Sequence, residues 1–573
     1  MSPFDPVHCV MSVLTVAWMV VLLAPVGSIN GAVIGTADGN QDDQMDAAFD
    51  SKADAFKDDY RVIPQPGDFR PKKLTFSEWI NSTHTGRGPF FDHGSVAEGE
   101  VLLFRTKKNR HRAIPVMRAT PNGMTSKFDD SLTFREWLRK TYPDEKAIRV
   151  TVRSTDVVRP VLQHLYAARH DFTAPVIVHA NTFASRSSVE KPVDPVIFVD
   201  TVSKLLPEST ISLGWTPSRD YAALNRLDWS RAFKLMSYTS NLQQPVMLTM
   251  NLNDALHSLE QLEWLLGIRE PEFFVLVRAD ASAFVDAGVD SMERLAGLAD
   301  GDKVLFDVDD AWKKKLKIIS KRSTRKRKRS VVHPEEWTNL VFPRAHSMLS
   351  TSIVSKTGVA FLGWPNALLL SNHETQDYPS KQVITGKVMF LPKRSIRHIT
   401  PEHDSGMILQ LFDKDRLVID SPTVSDTIKI FIGYDGRITI KNDLRHSNPL
   451  YSESSSSQLP KSGCYDFRIT DRGWRVDAEV ATTECAGLKD PIQASVPSTP
   501  PPTKKTYQTF VSLDTPISRQ RRLRSVGVTK SGDGAIDFLV TELEHSSAWR
   551  QGLSLILLVL SCLVAFVGRL PVF

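Results

Sequence analysis

Eight short, almost unbroken apolar runs recur between Leu74 and Lys317, and stretches of helical period fill most of the gaps between them. The runs are EVLLF (Glu100 to Phe104), IPVM (Ile114 to Met117), IRVTV (Ile148 to Val152), PVIVHA (Pro175 to Ala180), ISLGW (Ile211 to Trp215), PVMLTM (Pro245 to Met250), FFVLV (Phe273 to Val277) and KVLFDV (Lys303 to Val308). A strand that is apolar on both faces must be covered on both, which points to a parallel sheet with helices outside it. Helix candidates sit between the runs. Pro195 to Leu206 places Phe198, Val202, Leu205 and Leu206 on one face, and Asp254 to Leu266 does the same with Leu256, Leu259, Leu262 and Leu266. Eight strands in this length predict an α/β fold, a (β/α)8 TIM-like barrel over residues 71–318. A doubly wound open sheet is the alternative.

Beyond Val341 the helical period disappears. VFPRAH, KVMFLP, MILQLF, RLVID, TIKIFIGYDGRITI and CYDFRITDRGWRVDAEV read as strands, with Asp435-Gly436 and Asp471-Arg472-Gly473 as turns. Residues 336–490 are thus expected to form an all-β, sandwich-like domain. Residues 491–545 open with PSTPPPTKK and read as a Pro/Ser/Thr-rich stalk.

The ends decide the compartment. An apolar run from Ser12 to Val26 followed by small residues reads as a signal peptide over residues 1–32, with an uncleaved anchor as the alternative. Residues 33–70, rich in Asp, are expected to be a disordered acidic leader. Leu553 to Val567 is a second hydrophobic run, so residues 546–573 are expected to anchor the chain in a membrane, as a glycolipid-anchor signal or a spanning tail. The chain is therefore expected outside the cell, secreted or held at the surface. Of its four cysteines, Cys464 and Cys485 are the pair away from the hydrophobic ends, and in an oxidising compartment they are expected to form a disulfide. Asn81-Ser82-Thr83 is a glycosylation sequon at Asn81.

The net charge of +6 is concentrated in a few runs, and the densest, KRSTRKRKRS, lies in residues 319–335 between the two domains. Inside a cell such a run would suggest a nucleic acid or nuclear import. Outside it, those readings fall away. Three remain: a solvated linker, a contact for sulfated glycans or acidic surfaces, and a proprotein-convertase site at Arg329. Arg519-Gln520-Arg521-Arg522 matches the pattern of such proteases better, and cleavage after Arg522 is expected to release the ectodomain.

One stretch carries a family resemblance. PVIVHANTFASRSSVEKPVDPVIFVDTVSKLLPESTISLGWTP, with His179-Ala180-Asn181, Val193-Asp194 and Ser212-Leu213-Gly214-Trp215-Thr216, resembles the menorin family, and the likeness extends from Leu74 to Asp310. That family looks like a distant branch of the glycerophosphodiester phosphodiesterase-type barrels, which implies histidines for proton transfer and carboxylates for a divalent cation at the C-terminal ends of strands. On this chain the implied metal ligands are Glu98, Glu100 and Asp307. The histidine implied before Asn-Ser is matched by Glu78-Trp79-Ile80, and the His-Pro-Pro strand end by Arg118-Ala119-Thr120-Pro121. A carboxylate of the Lys-Leu-Asp-Phe-Lys strand becomes Thr151, between Arg149 and Arg153; Asn181 replaces another acid; and Asn251 stands where an arginine is expected. His84, His93 and His111 fall in expected loops.

Without these groups the domain is expected to be a degenerate enzyme needing no cofactor. The resemblance then implies an extracellular cue or co-ligand that binds adhesion-type or receptor proteins in tissue or neurite patterning. The alternative is a phosphodiesterase with rearranged ligands, using Mg or Ca, in which His179 with Asn181 serves as the base. Trp215, Arg118 and Arg149 are expected to line its pocket.

Overall fold

Each of the eight apolar runs is a strand: β1 (Val96–Arg105), β2 (Ala113–Met117), β3 (Ala147–Val152), β4 (Val176–Phe183), β5 (Thr210–Trp215), β6 (Val246–Asn251), β7 (Phe273–Ala279) and β8 (Val304–Val308). The computed structural model describes residues 74–547 except 85–88, 106–112, 119–131, 142–145, 187, 189, 219–223, 280–287, 300–302, 323–335, 343–350, 364–366, 374–380, 393–404, 414–423, 425–426, 445–452, 486–505, 517–523 and 532–535.

The eight strands form one sheet in the order β2-β1-β3-β4-β5-β6-β7-β8. From β1 to β8 through β3 every pair is parallel, whereas β1 and β2 are antiparallel. This corrects the expected (β/α)8 barrel to an open mixed sheet. Only seven residues separate β1 from β2, too few for the crossover that a parallel pair needs, so the two make a hairpin and β2 ends the sheet. Among the described residues no ladder joins β2 to β8. The doubly wound alternative fails too, because the order never reverses.

Crossovers of one hand advancing in one direction place the helices on a single face. The helices Thr155–Ala167, Pro195–Leu205, Trp229–Thr239 and Leu259–Leu266 bury Val161, Phe198, Leu235 and Leu262 there. The expected helix over Asp254 to Leu266 is broken into Leu252–Leu256 and Leu259–Leu266, because buried Ser258 donates its hydroxyl to Asp254 O and accepts from Leu227 N. The opposite face curls on itself. Phe90, just ahead of β1, makes an isolated parallel bridge to Phe306 of β8, and the helix Phe76–His84 packs Phe76, Trp79 and Ile80 against Met247, Phe274 and Leu305. Polar side chains then occupy this face toward the C-terminal strand ends.

The second domain is a pair of antiparallel seven-stranded sheets. One has the order β10 (Thr351–Ser355), β11 (Gly358–Leu362), β22 (Ile536–Ser547), β13 (Gln382–Pro392), β18 (Cys464–Asp471), β19 (Arg475–Thr482), β20 (Gln508–Asp514). The other runs β17 (Ser454–Gln458), β16 (Arg437–Asn442), β15 (Thr427–Gly433), β14 (Gly406–Phe412), β21 (Ser525–Ser531), β12 (Ala367–Ser371), β9 (Trp337–Val341). Their facing side chains, among them Phe361, Phe390, Leu409, Ile430, Phe467 and Phe538, form one buried core, as expected for a sandwich. Both glycine turns are found where the sequence placed them: Gly436 between β15 and β16 and Gly473 between β18 and β19 have φ of +90 and +82 degrees, which a side chain resists. Cys464 and Cys485 are disulfide-bonded, with Cα atoms 5.4 Å apart.

Two boundaries move. The expected stalk is not one: β20, β21 and all but the last two residues of β22 come from residues 491–545, and β21 and β22 are interior strands of the two sheets. The sandwich therefore ends near Ser547, not at residue 490. The helix Asp310–Arg322 carries the first domain four residues into the expected basic linker. Asn81 is exposed on the helix Phe76–His84. No helix among the described residues is long and apolar enough to cross a membrane. The signal, leader and C-terminal apolar run, like Arg329 and Arg522, lie outside the described residues.

Candidate functional site

The strand ends on the curled face carry an ionic network. Successive side chains of a strand alternate between faces, so Glu98 and Glu100 of β1 share one. The register pairs Glu98 with Arg149 of β3, Thr151 with His179 of β4, and His179 with Ser212 of β5. It also sets Arg278 of β7 beside both Asn251 of β6 and Asp307 of β8. Strand pairing alone thus gathers residues distant in sequence.

Their side chains form one continuous path. His93 Nε2 is 2.6 Å from Asp307 Oδ1, and Arg278 Nε donates to Asp307 Oδ2 at 2.7 Å. A terminal nitrogen of Arg278 lies 3.5 Å from Glu98 Oε2, and Arg149 donates to Glu98 Oε1 at 3.0 Å and to Thr249 Oγ1 at 3.3 Å. The Thr249 and Ser212 hydroxyls are 3.2 Å apart, and Ser212 Oγ is 2.9 Å from His179 Nδ1. A second branch begins at Glu100, which accepts from Arg118 at 2.9 Å and from Arg153 at 3.0 Å; Arg153 also holds Glu190 at 2.7 Å.

Burial sets the protonation of these groups. Arg149 has a side chain only 2 % exposed, and burial, helped by the positive charge of Arg278, pushes its pKa down to about 10. Its Nε meets no acceptor among the described residues. The His179 pKa is held well below the usual histidine range by burial and then by Arg149 and Arg278, so the ring is neutral at pH 7 and a weak base. Asn181 hydrogen-bonds to it. Gly214 makes room for both: a Cβ there would lie 2.9 Å from His179 Cε1 and 3.2 Å from Asn181 Oδ1.

The three expected metal ligands fit a cation poorly. Arg278 bridges Glu98 and Asp307, and so holds the position that a shared divalent ion would take, while Glu100 is engaged by Arg118 and Arg153. A hard cation would have to displace guanidinium groups from each carboxylate. Among the described residues no group of three or more His, Cys, Asp and Glu is placed to hold a metal ion. The expected pocket residues also part company. Arg118 and Arg149 hold different carboxylates, and Trp215 is half-buried against Phe183, ring centroids 5.0 Å apart, its Nε1 without an acceptor among the described residues.

Two members of the network went unread in the sequence. Glu78 to Ser82 lie on a helix, and His93 lies in the turn His93–Ser95 directly before β1, in a loop as expected, from which it still reaches Asp307. Its signal was the apolar pair Phe90-Phe91 just ahead. Arg278, the other, ends the apolar run FFVLV with a charge, which is a mark of a strand end facing something polar.

Comparison with known proteins bears on both domains. Residues 72–313 match the family model described as the menorin N-terminal domain, and residues 337–545 match the menorin C-terminal domain. Human protein FAM151B is 29 % identical over 172 residues, 30 % of this chain and 60 % of that protein, so the match spans less than two thirds of that relative's length. Among solved structures, a legume lectin-like domain from Entamoeba histolytica has 11 % identity, covering 38 % of this chain and 94 % of that one with a TM-score of 0.25. A peanut lectin has 8 % identity, covering 37 % and 95 % with a TM-score of 0.23.

Proposed function

Since the chain belongs to the menorin family, we propose that it is a non-catalytic extracellular protein, secreted or tethered at the cell surface, that acts as a cue or co-ligand by binding adhesion-type or receptor proteins. One observation carries this reading: Arg278 bridges Glu98 and Asp307, where a phosphodiesterase would use those oxygens for a cation. The arginines neutralise the carboxylates, and the buried His179 is too weak a base to move protons at neutral pH. The hydrophobic end segments and the disulfide support export. The basic run before the sandwich offers sulfated glycans a contact.

A second reading has its own support. The short contact of exposed His93 to Asp307 resembles a base held by its orienting carboxylate, and a phosphodiesterase with rearranged ligands would use it. One assay separates the two. Purified full chain is incubated with glycerophosphodiesters and Mg²⁺, Ca²⁺ or Mn²⁺. No turnover is expected, and turnover lost in His93→Ala or Glu98→Gln would overturn the non-catalytic reading.

A further inference from the structure

The two described domains meet along the helix Leu259–Leu266. Ser355 Oγ donates to Trp264 O at 2.6 Å, Trp264 Nε1 donates to Gly358 O at 3.3 Å, and Ile268 forms an isolated bridge with Ser355. Beside this seam lies a cavity of about 310 Å³ with walls from both domains. That volume falls in the range of small-molecule sites, which favour domain boundaries.

Its lining is two-sided in chemistry. Trp229, Met389, Leu539 and the Cys464–Cys485 disulfide give apolar surface. Against them stand four carboxylates, Glu260, Glu263, Glu484 and Glu542, and two cations, Arg294 and Lys387. Both cations are paired: Arg294 with Glu263 at 3.3 Å and Lys387 with Glu542 at 3.0 Å. The second pair depends on a break in the register between β13 and β22, where Glu542 takes a positive φ of 52 degrees. A bulge of this kind re-aims a side chain. Glu260 has no hydrogen-bond or ion-pair partner among the described residues. Burial raises its pKa despite the nearness of Arg294, with Glu263 adding to the rise, so an arriving cation would relieve an unfavourable charge.

We propose that this interdomain pocket takes a small amphiphilic cation, an ammonium group on an apolar aromatic or alkyl body, with Glu260 as its counter-ion and Trp229 against the body. Trp229 presents a ring at the seam, edge-on to Trp264 with centroids 5.9 Å apart, and an aromatic ring packs well against an apolar aromatic or alkyl body. The site is separate from the strand-end network, so the proposal stands or falls independently of the function given above.

The test uses fluorine NMR on purified full chain with two probes, 4-fluorophenethylamine and its uncharged counterpart 4-fluorophenylethanol. The amine signal is expected to broaden and to recover on adding excess phenethylamine, with the alcohol binding at least about tenfold more weakly. Glu260→Gln, with its melting temperature as a folding control, should weaken the amine to the level of the alcohol. Lys387→Met, which frees Glu542, should strengthen amine binding about threefold or more and leave the alcohol unchanged; loss of fold cannot mimic that gain. Absence of amine binding, equal binding of both probes, a Glu260→Gln protein that binds as wild type, or no gain in Lys387→Met would each overturn the proposal.

Discussion

Glu98 is only partly buried, yet it is the charge that Arg149 relies on in the interior. Removing one member of a buried ion pair leaves the other desolvated and uncompensated. Glu98→Gln is therefore expected to cost about 2–4 kcal/mol, at the low end because solvent reaches the carboxylate, and chemical denaturation would measure it. Glu98, Glu100 and Asp307 were reached through the family resemblance, as expected metal ligands, and not through local pattern. What they bind was not legible. Arg278 meets Asp307 by register and Glu98 through the curl of the sheet, and neither contact leaves a trace in local pattern. Asn251 illustrates the same limit: the arginine expected at its position is absent, but pairing sets Arg278 of the next strand beside it.

At the scale of elements, strand positions were well marked and connections were not. The apolar runs located all eight strands, but a hairpin and a crossover differ only in the length of chain between them. The segment after Ala494 misled for a compositional reason: PSTPPPTKK colours the whole region as linker, while QTFVSLD and IDFLVTELEHSS carry the alternation that makes β20 and β22. Ser258 shows how one buried hydroxyl ends a helix that periodicity alone would continue. The disulfide belongs to this scale too, tying the start of β18 to the segment just past β19 across 21 residues. Closing a loop of that size is worth about 3 kcal/mol, so Cys485→Ser should lower the sandwich's unfolding free energy by that amount in a denaturant titration.

Across the whole molecule, acid is expected to be the weak side. Both Gln382 amide hydrogens are engaged, by Asp471 and Arg524, so its oxygen accepts from His545 Nε2, and His545 Nδ1 accepts from the Ser371 hydroxyl. Burial, together with the nearby His373, pushes the His545 pKa down to about 3. Above the unfolded histidine pKa, about 6.5, the ring is neutral in both states and pH has no effect through it. Below that value only the unfolded chain takes up the proton, so stability falls by about 1.4 kcal/mol per pH unit until the folded pKa is reached. His179, depressed in the same direction, adds to the loss. Melting temperatures between pH 7 and pH 5 should fall, and His545→Gln should flatten the slope.

The placement of β21 and β22 also changes what a protease can do. A cut after Arg522 was expected to shed an ectodomain, but both strands follow that site in sequence and sit inside the two sheets. Nicked protein is expected to run as two bands on denaturing gels and as one species in size-exclusion chromatography; separation of the two fragments there would contradict the topology. The same placement governs synthesis. A ribosome that has finished β20 has made six of the seven strands of each sheet but not the interior strand that joins its two parts, so the nascent sandwich waits, with apolar faces open to chaperones, until Ser547 has cleared the exit tunnel. A stop codon anywhere after Asp514 and before that point would then yield a quality-control substrate instead of a slightly shortened protein.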